Sequence, residues 1–492
     1  FVPFPFRLSV VTSANSATDT VATLHSIRLL YTVSTAGRCR PEGGRIAPVE
    51  HVETDYLIIG AGASGMAFAD EIVSQSKDAR MILVDRHATP GGHWNHAYPF
   101  VTLHQPAQYY GVNSEPLEAS TDDLASQNRI VNYYAHILEK LCSTGRVQFF
   151  GHHEYQGEGR ILSLNEDKTM YQVSVHRRIV DATDYNVQVP STHPPEYAVA
   201  DGMHMVPINA LANIDRDWSR YVVIGSGKTG MDAVLHLLEI GTHPDQITWV
   251  ISNDAWLINR DCMQTGALGW HFPLQLREVC RCQNSADYFR RFEAKGWLMR
   301  LDPSLPTTKF RCATVDPTEL QALRTVQDVL RMGRVRAIHP TKIVLDHGTA
   351  PTGEDVLHID CTANGLSRRP ARPIFEDQHI LLQPVGLCQP AMSAAMIGNI
   401  EMLNITDDAK NAMSHPCPHP VVPLDYFIGL RATGKNMEAW WPHQAPWLLR
   451  KRLSGFHHIS IWAKIWVFIG LILWSKGATQ KAEAFIDELS QP

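Results

Sequence analysis

The sequence predicts an α/β protein: two Rossmann-like dinucleotide-binding domains, the second inserted in the first, followed by a helical C-terminal region. Three observations predict it. A short apolar strand runs into a glycine-spaced turn and then a helix near 56–72. The same pattern recurs near 221–238. A third apolar strand, at 356–360, stands late enough to return the chain to the first domain. The length, 492 residues with 44% hydrophobic and 19% charged, suits two or three ordinary cores. The formal net charge is -6, and no basic stripe marks a nucleic-acid partner.

The first element is "DYLIIGAGASGMAFADEI". Its strand, Tyr56 to Ile59, enters Gly60-Ala-Gly62-Ala63-Ser64-Gly65, and a helical pattern follows through Met66, Phe68 and Ile72. Gly60 permits a tight turn, Gly62 lets backbone approach a pyrophosphate, and Gly65 lets helix and strand pack closely. Ala63 and Ser64 open the helix, whose free N–H groups and positive dipole end suit phosphate. The next strand, "RMILVD", ends at Asp85, followed by Arg86. A carboxylate there suits ribose hydroxyls.

The second element is "RYVVIGSGKTGMDAVLHLLEI", with Gly225, Gly227, Lys228, Thr229 and Gly230 in the turn. Its Gly-Lys-Thr is not a P-loop, because that loop needs a further glycine where Val222 stands. The strand after it ends in Ser252-Asn253 rather than in an acid, with Asp254 one residue on. An acid repels a 2′-phosphate, so its absence, with Lys228 and Arg260 nearby, favours NADP over NAD. Two such motifs imply two dinucleotides. A flavin with a nicotinamide is the usual pair, because flavin accepts a hydride and passes electrons on.

Four stretches resemble the flavin-containing (class B) monooxygenases and their Baeyer–Villiger relatives. Gly60 to Gly65 with Asp85 resembles their FAD site. Gly91-Gly92-His93-Trp94 resembles the Gly-Gly-x-Trp that follows. Gly225 to Gly230 resembles their NADPH motif. Asp360-Cys-Thr-Ala-Asn364-Gly365 resembles the strand-turn that returns to the FAD domain. The resemblance implies FAD and NADPH as cofactors. It also implies a monooxygenase that oxygenates a small organic substrate with O₂ through a flavin C4a-(hydro)peroxide. The implied divisions are an N-terminal extension at 1–50, an FAD domain at 51–195 and 355–450, an NAD(P)H domain at 196–354 and a helical segment at 451–492. The chain departs from its relatives in two places. "PSTHPPEY" replaces the F-x-G-x-x-x-H signature, and "NHAYPFVTLHQP" lacks the Baeyer–Villiger Arg and Asp. Two alternatives therefore stand: an NAD(P)H-dependent reductase or dehydrogenase without oxygen insertion, and a non-catalytic flavin-bearing sensor. A disulfide-reducing form needs a redox cysteine pair, commonly C-x-x-C, and the sequence has none.

"PGGHWNHAYPFVTLHQP" offers His93, His96 and His104, but Pro90, Gly91, Gly92 and Pro99 exclude the stable helix that would align them on a metal. No metal is expected there. The glycines suit backbone lying against a flat ring, and Trp94 can pack near it. His104 and Gln105 are the candidate catalytic donors, with a structural role for His104 as the alternative. Asn113 is a further candidate near the flavin. Gln383, ahead of a helix opened by Ser393, Ala394 and Ala395, is a candidate at the ring carbonyl. Trp256, Trp270, Phe272, Trp297, Trp440 and Trp441 suggest an apolar substrate pocket or, equally, core.

The ends differ from the middle. Residues 1–49 are rich in Ser, Thr and Arg, which suits a loose extension or an organellar targeting segment. Near the C-terminus the uninterrupted apolar run Ile465–Trp474 is shorter than the roughly 20 residues of a spanning helix. A packed helix is expected, with contact at a membrane surface as the alternative. The nine cysteines are irregularly spaced and read as mostly reduced, structural thiols in an intracellular, cytoplasmic setting.

Overall fold

The computed structural model describes residues 49–117, 124–363, 365–366 and 369–491. The extension expected at 1–50 lies outside them, apart from Val49 and Glu50, which begin the first strand. That strand, β1 (Val49–Ile59), leads into α1 (Ala63–Gln75), β2 (Met81–Asp85), α2 (Gln127–Ser143), β3 (Val147–Gly151) and β4 (Met170–Asp181). After a crossing come β5 (His204–Pro207), β6 (Arg220–Ile224), α3 (Lys228–Glu239), β7 (Ile247–Val250), β8 (Ala255–Asn259), α4 (Thr265–Arg281), β9 (Lys309–Val315), β10 (Val329–Leu330) and β11 (Val356–Asp360). The chain then returns through β12 (His379–Leu381) to α5 (Pro390–Glu401), α6 (Pro423–Arg450) and α7 (Ile461–Ser490).

Two parallel sheets carry the molecule. The first runs β12-β4-β1-β2-β3, with the strand Phe375–Glu376 at its edge and a hairpin at 153–163 alongside. The second runs β10-β7-β6-β11-β5. The registers repeat. Ile59 at the end of β1 pairs with Val84 and Asp181; Ile224 at the end of β6 pairs with Val250 and Asp360. In both sheets the strand is almost fully buried and apolar, as a parallel sheet covered on both faces requires.

One expectation is corrected. The strand 356–360 does not return the chain to the first sheet; it lies in the second, between β6 and β5. Val356, Leu357 and Ile359 are buried there, so this strand completes the core of the inserted unit and the return begins after Asp360. The two crossings touch, since Gln188 N–H donates to the Gly365 carbonyl at 2.9 Å. Each also opens on the same device: Asp181 Oδ1 accepts from the Thr183 hydroxyl at 2.6 Å, and Asp360 Oδ1 accepts from the Thr362 hydroxyl at 2.6 Å.

Candidate functional site

The first cradle is set by steric limits. Gly60 has φ +99, in the left-handed region, and a Cβ on Gly65 would stand 2.0 Å from the Gly60 carbonyl oxygen. Gly62 begins α1 with no side-chain cap, which leaves the first-turn N–H groups around Ala63 and Ser64 for another acceptor. The Gly91-Gly92 turn folds over this mouth: Gly91 N–H donates to the Ala61 carbonyl at 2.9 Å, and a Cβ on Gly92 would stand 3.2 Å from Gly62 Cα. Asp85 is buried. Its Oδ2 accepts from Ala61 N–H at 2.7 Å and its Oδ1 from His87 N–H at 2.8 Å. The carboxylate therefore braces the turn, and it raises the His87 pKa through their 2.7 Å contact. Arg86 points away, exposed, and pairs with Glu154.

The second cradle repeats the first. Gly225 has φ +131, and a Cβ there would stand 2.6 Å from the Cys361 carbonyl oxygen. A Cβ on Gly230 would stand 2.0 Å from the Gly225 oxygen, whereas a Cβ on Gly227 would meet nothing within 4 Å. Gly227 begins α3 uncapped. Lys228 is tied to Asp232 one turn on. Arg260 is not available to a 2′-phosphate. It is buried between Asp316, at 2.9 Å, and Glu319, at 2.6 Å, and donates to the His104 carbonyl at 3.1 Å. The cation the structure does bring to the end of β7 is Arg331, which pairs with Asp254 at 3.0 Å. Arg331 follows β10, the neighbour of β7, and nothing in the local sequence links it to Asp254.

The cradles meet at a junction. Tyr98, downstream of the Gly-Gly turn, donates its hydroxyl to Asp232 Oδ2 at 2.5 Å and lies beside Thr229. Phe100 stacks on His236 of α3, with ring centroids 3.8 Å apart. Burial pushes the His104 pKa down to about 3, helped by the cations Lys228 and Arg260, with His419 also close by. The His104 Nδ1 is enclosed and unpartnered. Buried polar atoms without partners are rare in native proteins, and the enclosed His104 nitrogen at this junction fits a polar ligand. Gln105 is buried here too.

Other candidates are occupied elsewhere. Gln383 spends its amide on the backbone of Arg372, donating at 2.9 Å and accepting at 3.3 Å. Asn113 donates to Glu71 at 2.8 Å and accepts from Leu453 N–H at 3.2 Å. Trp94 is buried, its indole N–H donating to Tyr110 at 2.7 Å. His93 packs on Trp94, and burial lowers its pKa to about 4. Residues 92–96 form one 3-10 turn rather than a longer helix. α5 opens at Pro390, ahead of the expected Ser393, and Ser393 Oγ accepts from the N–H groups of Val385 and Gly386 at 3.0 and 3.1 Å. Asn364 lies outside the described residues. Trp256 and Trp297 sit in a buried aromatic cluster with Tyr288, Phe292 and Phe310, and Trp440 is fully buried. These are core; Trp270 is half exposed.

Six of the described cysteines are free thiols, as expected, and two are paired. Cys312 of β9 and Cys388, ahead of α5, form a disulfide with a Cα–Cα separation of 6.5 Å. His419 stands beside it, Nδ1 at 4.0 Å from the Cys388 sulfur.

Residues 58–141 match the family of NAD(P)-binding Rossmann-like domains. The protein Rv2000 of Mycobacterium tuberculosis is 43% identical over 437 residues, covering 84% of this chain and 79% of that protein. The chain belongs to the Rv2000 family. More distantly, the probable FAD-binding monooxygenase AlmA of Acinetobacter baylyi is 25% identical over 196 residues, 37% of this chain and 38% of that one. Among solved structures, cyclohexanone-bound cyclohexanone monooxygenase is 12% identical with a TM-score of 0.47, covering 71% of this chain and 88% of that chain.

Proposed function

We propose that the chain is an FAD-dependent oxidoreductase, a monooxygenase that uses NADPH and O₂ on a small organic substrate. The doubled cradle carries this reading. Two uncapped helix N-termini, each behind a glycine turn that tolerates no Cβ at its third glycine, meet through Tyr98 and Asp232. The distant likeness to AlmA, named as a probable FAD-binding monooxygenase, supports the same assignment.

The N-terminus of α1 in the first cradle would hold the FAD pyrophosphate, and His104 and the N-terminus of α5 would stand on the side of its ring. The N-terminus of α3 behind Gly227 would hold the NADPH pyrophosphate, and Arg331 would answer its 2′-phosphate. Bound FAD supplies hydride acceptance and reaction with O₂. The chain's own residues bind, orient and exclude water. α1 and α3 hold phosphates by N–H groups and dipole. Asp85 keeps the first turn closed. His104, held neutral by burial, has one ring nitrogen that donates and one that accepts. Tyr98 fixes α3 against the first domain. Anaerobic reduction of the purified protein by NADPH, followed by mixing with O₂, tests the reading. A transient absorbing species that outlives reduced flavin by seconds is expected. Direct reoxidation without one favours the reductase, and no reduction favours the sensor.

We also propose that α7 seats the protein on a lipid surface. It is long and apolar enough to cross a membrane, but one of its sides packs on α4, where a Cβ on Gly470 would stand 2.5 Å from Pro273. Its opposite side exposes Ile461, Trp462, Ile465, Phe468, Ile472 and Leu473. Between 461 and 482 the helix carries Lys464, Lys476 and Lys481 and no acid. Lys481 faces α4 beside Cys280 and Cys282, and an apolar stripe with Lys464 and Lys476 on the same helix suits anionic headgroups, with the helix lying in the interface plane.

A further inference from the structure

Cys312 and Cys388 come from different parts of the chain, 76 residues apart. Cys312 lies on β9 in the inserted unit, and Cys388 follows the return to the first. Three segments hold them together. The loop before α5 is pinned by Ser393 Oγ, by Leu387 N–H donating to Thr433 at 2.9 Å, and by Cys417 N–H donating to the Pro384 carbonyl at 2.7 Å. β9 is tied to the 417–422 segment by Phe310 N–H donating to the Val421 carbonyl at 3.1 Å. His419, on that segment, hydrogen-bonds the backbone of Arg311. Both cysteines have positive φ, 53 and 55, a conformation that non-glycine residues seldom adopt.

The position of the pair is what gives it chemistry. Cys388 lies two residues before the first residue of α5, a 12-residue helix, and a helix N-terminus favours a thiolate. His419 is within reach of its sulfur and is kept neutral, its pKa lowered to about 4 by burial and then by Arg311. His419 also interacts electrostatically with His104 at the junction of the cradles. His419 thus links the bond to His104, on the side proposed above for the flavin ring.

We propose that Cys312 and Cys388, with His419 as proton partner, form a redox-active disulfide that exchanges an electron pair with the flavin. The hydride of NADPH brings two electrons and one proton, and solvent brings a second proton. The Sγ–Sγ bond breaks and two thiols form, Cys388 departing as the thiolate and His419 relaying its proton. The reverse transfer re-forms the bond and returns the pair to oxidised flavin, so the protein holds an electron reserve beside its oxygen-reactive cofactor. Elements that share no local motif build a centre that the absence of C-x-x-C had argued against.

This proposal rests on the flavin assignment, and one titration separates the two. The FAD-loaded protein is titrated anaerobically with NADPH, and new thiols are trapped with a maleimide and mapped by mass spectrometry. Two equivalents of NADPH per FAD are expected, with label on Cys312 and Cys388, falling to one equivalent in the C312A/C388A protein. FAD content and circular dichroism report whether that variant folds, and labelling of the native protein needs no variant. Full bleaching with one equivalent and an intact disulfide overturns the pair alone. No bound flavin, or no bleaching, overturns both. Isolation with two free thiols and stoichiometric zinc overturns the pair in favour of a metal site, since Cys312, Cys388 and His419 have ligand atoms within 4.8 Å of one another.

Discussion

Gly227→Ala separates the ligand from the fold. At Gly65, Gly225 and Gly230 an added methyl strikes backbone, and the loss of binding cannot be told from loss of structure. At Gly227 the added Cβ meets nothing within 4 Å, and the residue already has φ -79 and ψ -175, which alanine adopts freely. The substitution therefore leaves stability within about 0.5 kcal/mol, or raises it by about 0.4–1 kcal/mol by restricting the unfolded chain. If the NADPH pyrophosphate lies against this Cα, the methyl pushes it off the N–H groups of α3. Loss of even one or two charge-assisted hydrogen bonds, at about 1.5–3 kcal/mol each, weakens binding by at least about tenfold. Thermal melts without ligand measure the first quantity, and calorimetric titration with NADPH measures the second. An unchanged dissociation constant, with an unchanged melt, would refute the placement of the nicotinamide cofactor over this turn.

Gly230→Ala is the steric counterpart. Its Cβ at 2.0 Å from the Gly225 oxygen forces α3 away from β6, so the apo melt falls as well, by about 1–3 kcal/mol or more; a native-like melt would count against the packing described. Arg331→Gln removes the cation at the end of β7 and should raise KM for NADPH tenfold or more while leaving NADH nearly unchanged. Equal losses for both would point to a structural role instead. His93 and His104 are half-buried and neutral, with pKa values lowered to about 4 and 3. Their contribution is complete above the unfolded value near 6.5 and is lost as pH falls towards 4, by up to about 3 kcal/mol each. Urea midpoints from pH 7.5 to 4.5 measure it, and His93→Gln should flatten the profile; a profile equal to the native one would remove His93 from the account. Phe468→Asp with Ile472→Asp should abolish co-flotation with vesicles containing phosphatidylserine without altering the melt. Persistent flotation, or a dimer dissociated by the same change, would contradict the lipid assignment.

Local sequence carried the two cradles because their constraints are local. The contacts that demand glycine, Gly65 on Gly60 and Gly230 on Gly225, span five residues, so spacing alone encodes them. Asp85 and the Asp-x-Thr crossings were legible for the same reason: each acts at the end of its own strand. The sequence was less informative wherever a side chain has rivals. Arg260 and Arg331 are both cations downstream of β7, and only packing shows that one is consumed by Asp316 and Glu319 while the other reaches Asp254. Gln383 and Asn113 are amides at plausible places, each spent on neighbouring backbone or carboxylate.

What the sequence by itself determined is the fold class, the duplication and the two glycine turns, because these follow from steric limits over a few residues. Only the tertiary structure decided which sheet the strand 356–360 completes, that α7 leaves an apolar side uncovered, and that Cys312 meets Cys388 beside His419. Those depend on surfaces brought together across scores of residues, where periodicity specifies an apolar face but not the face it meets.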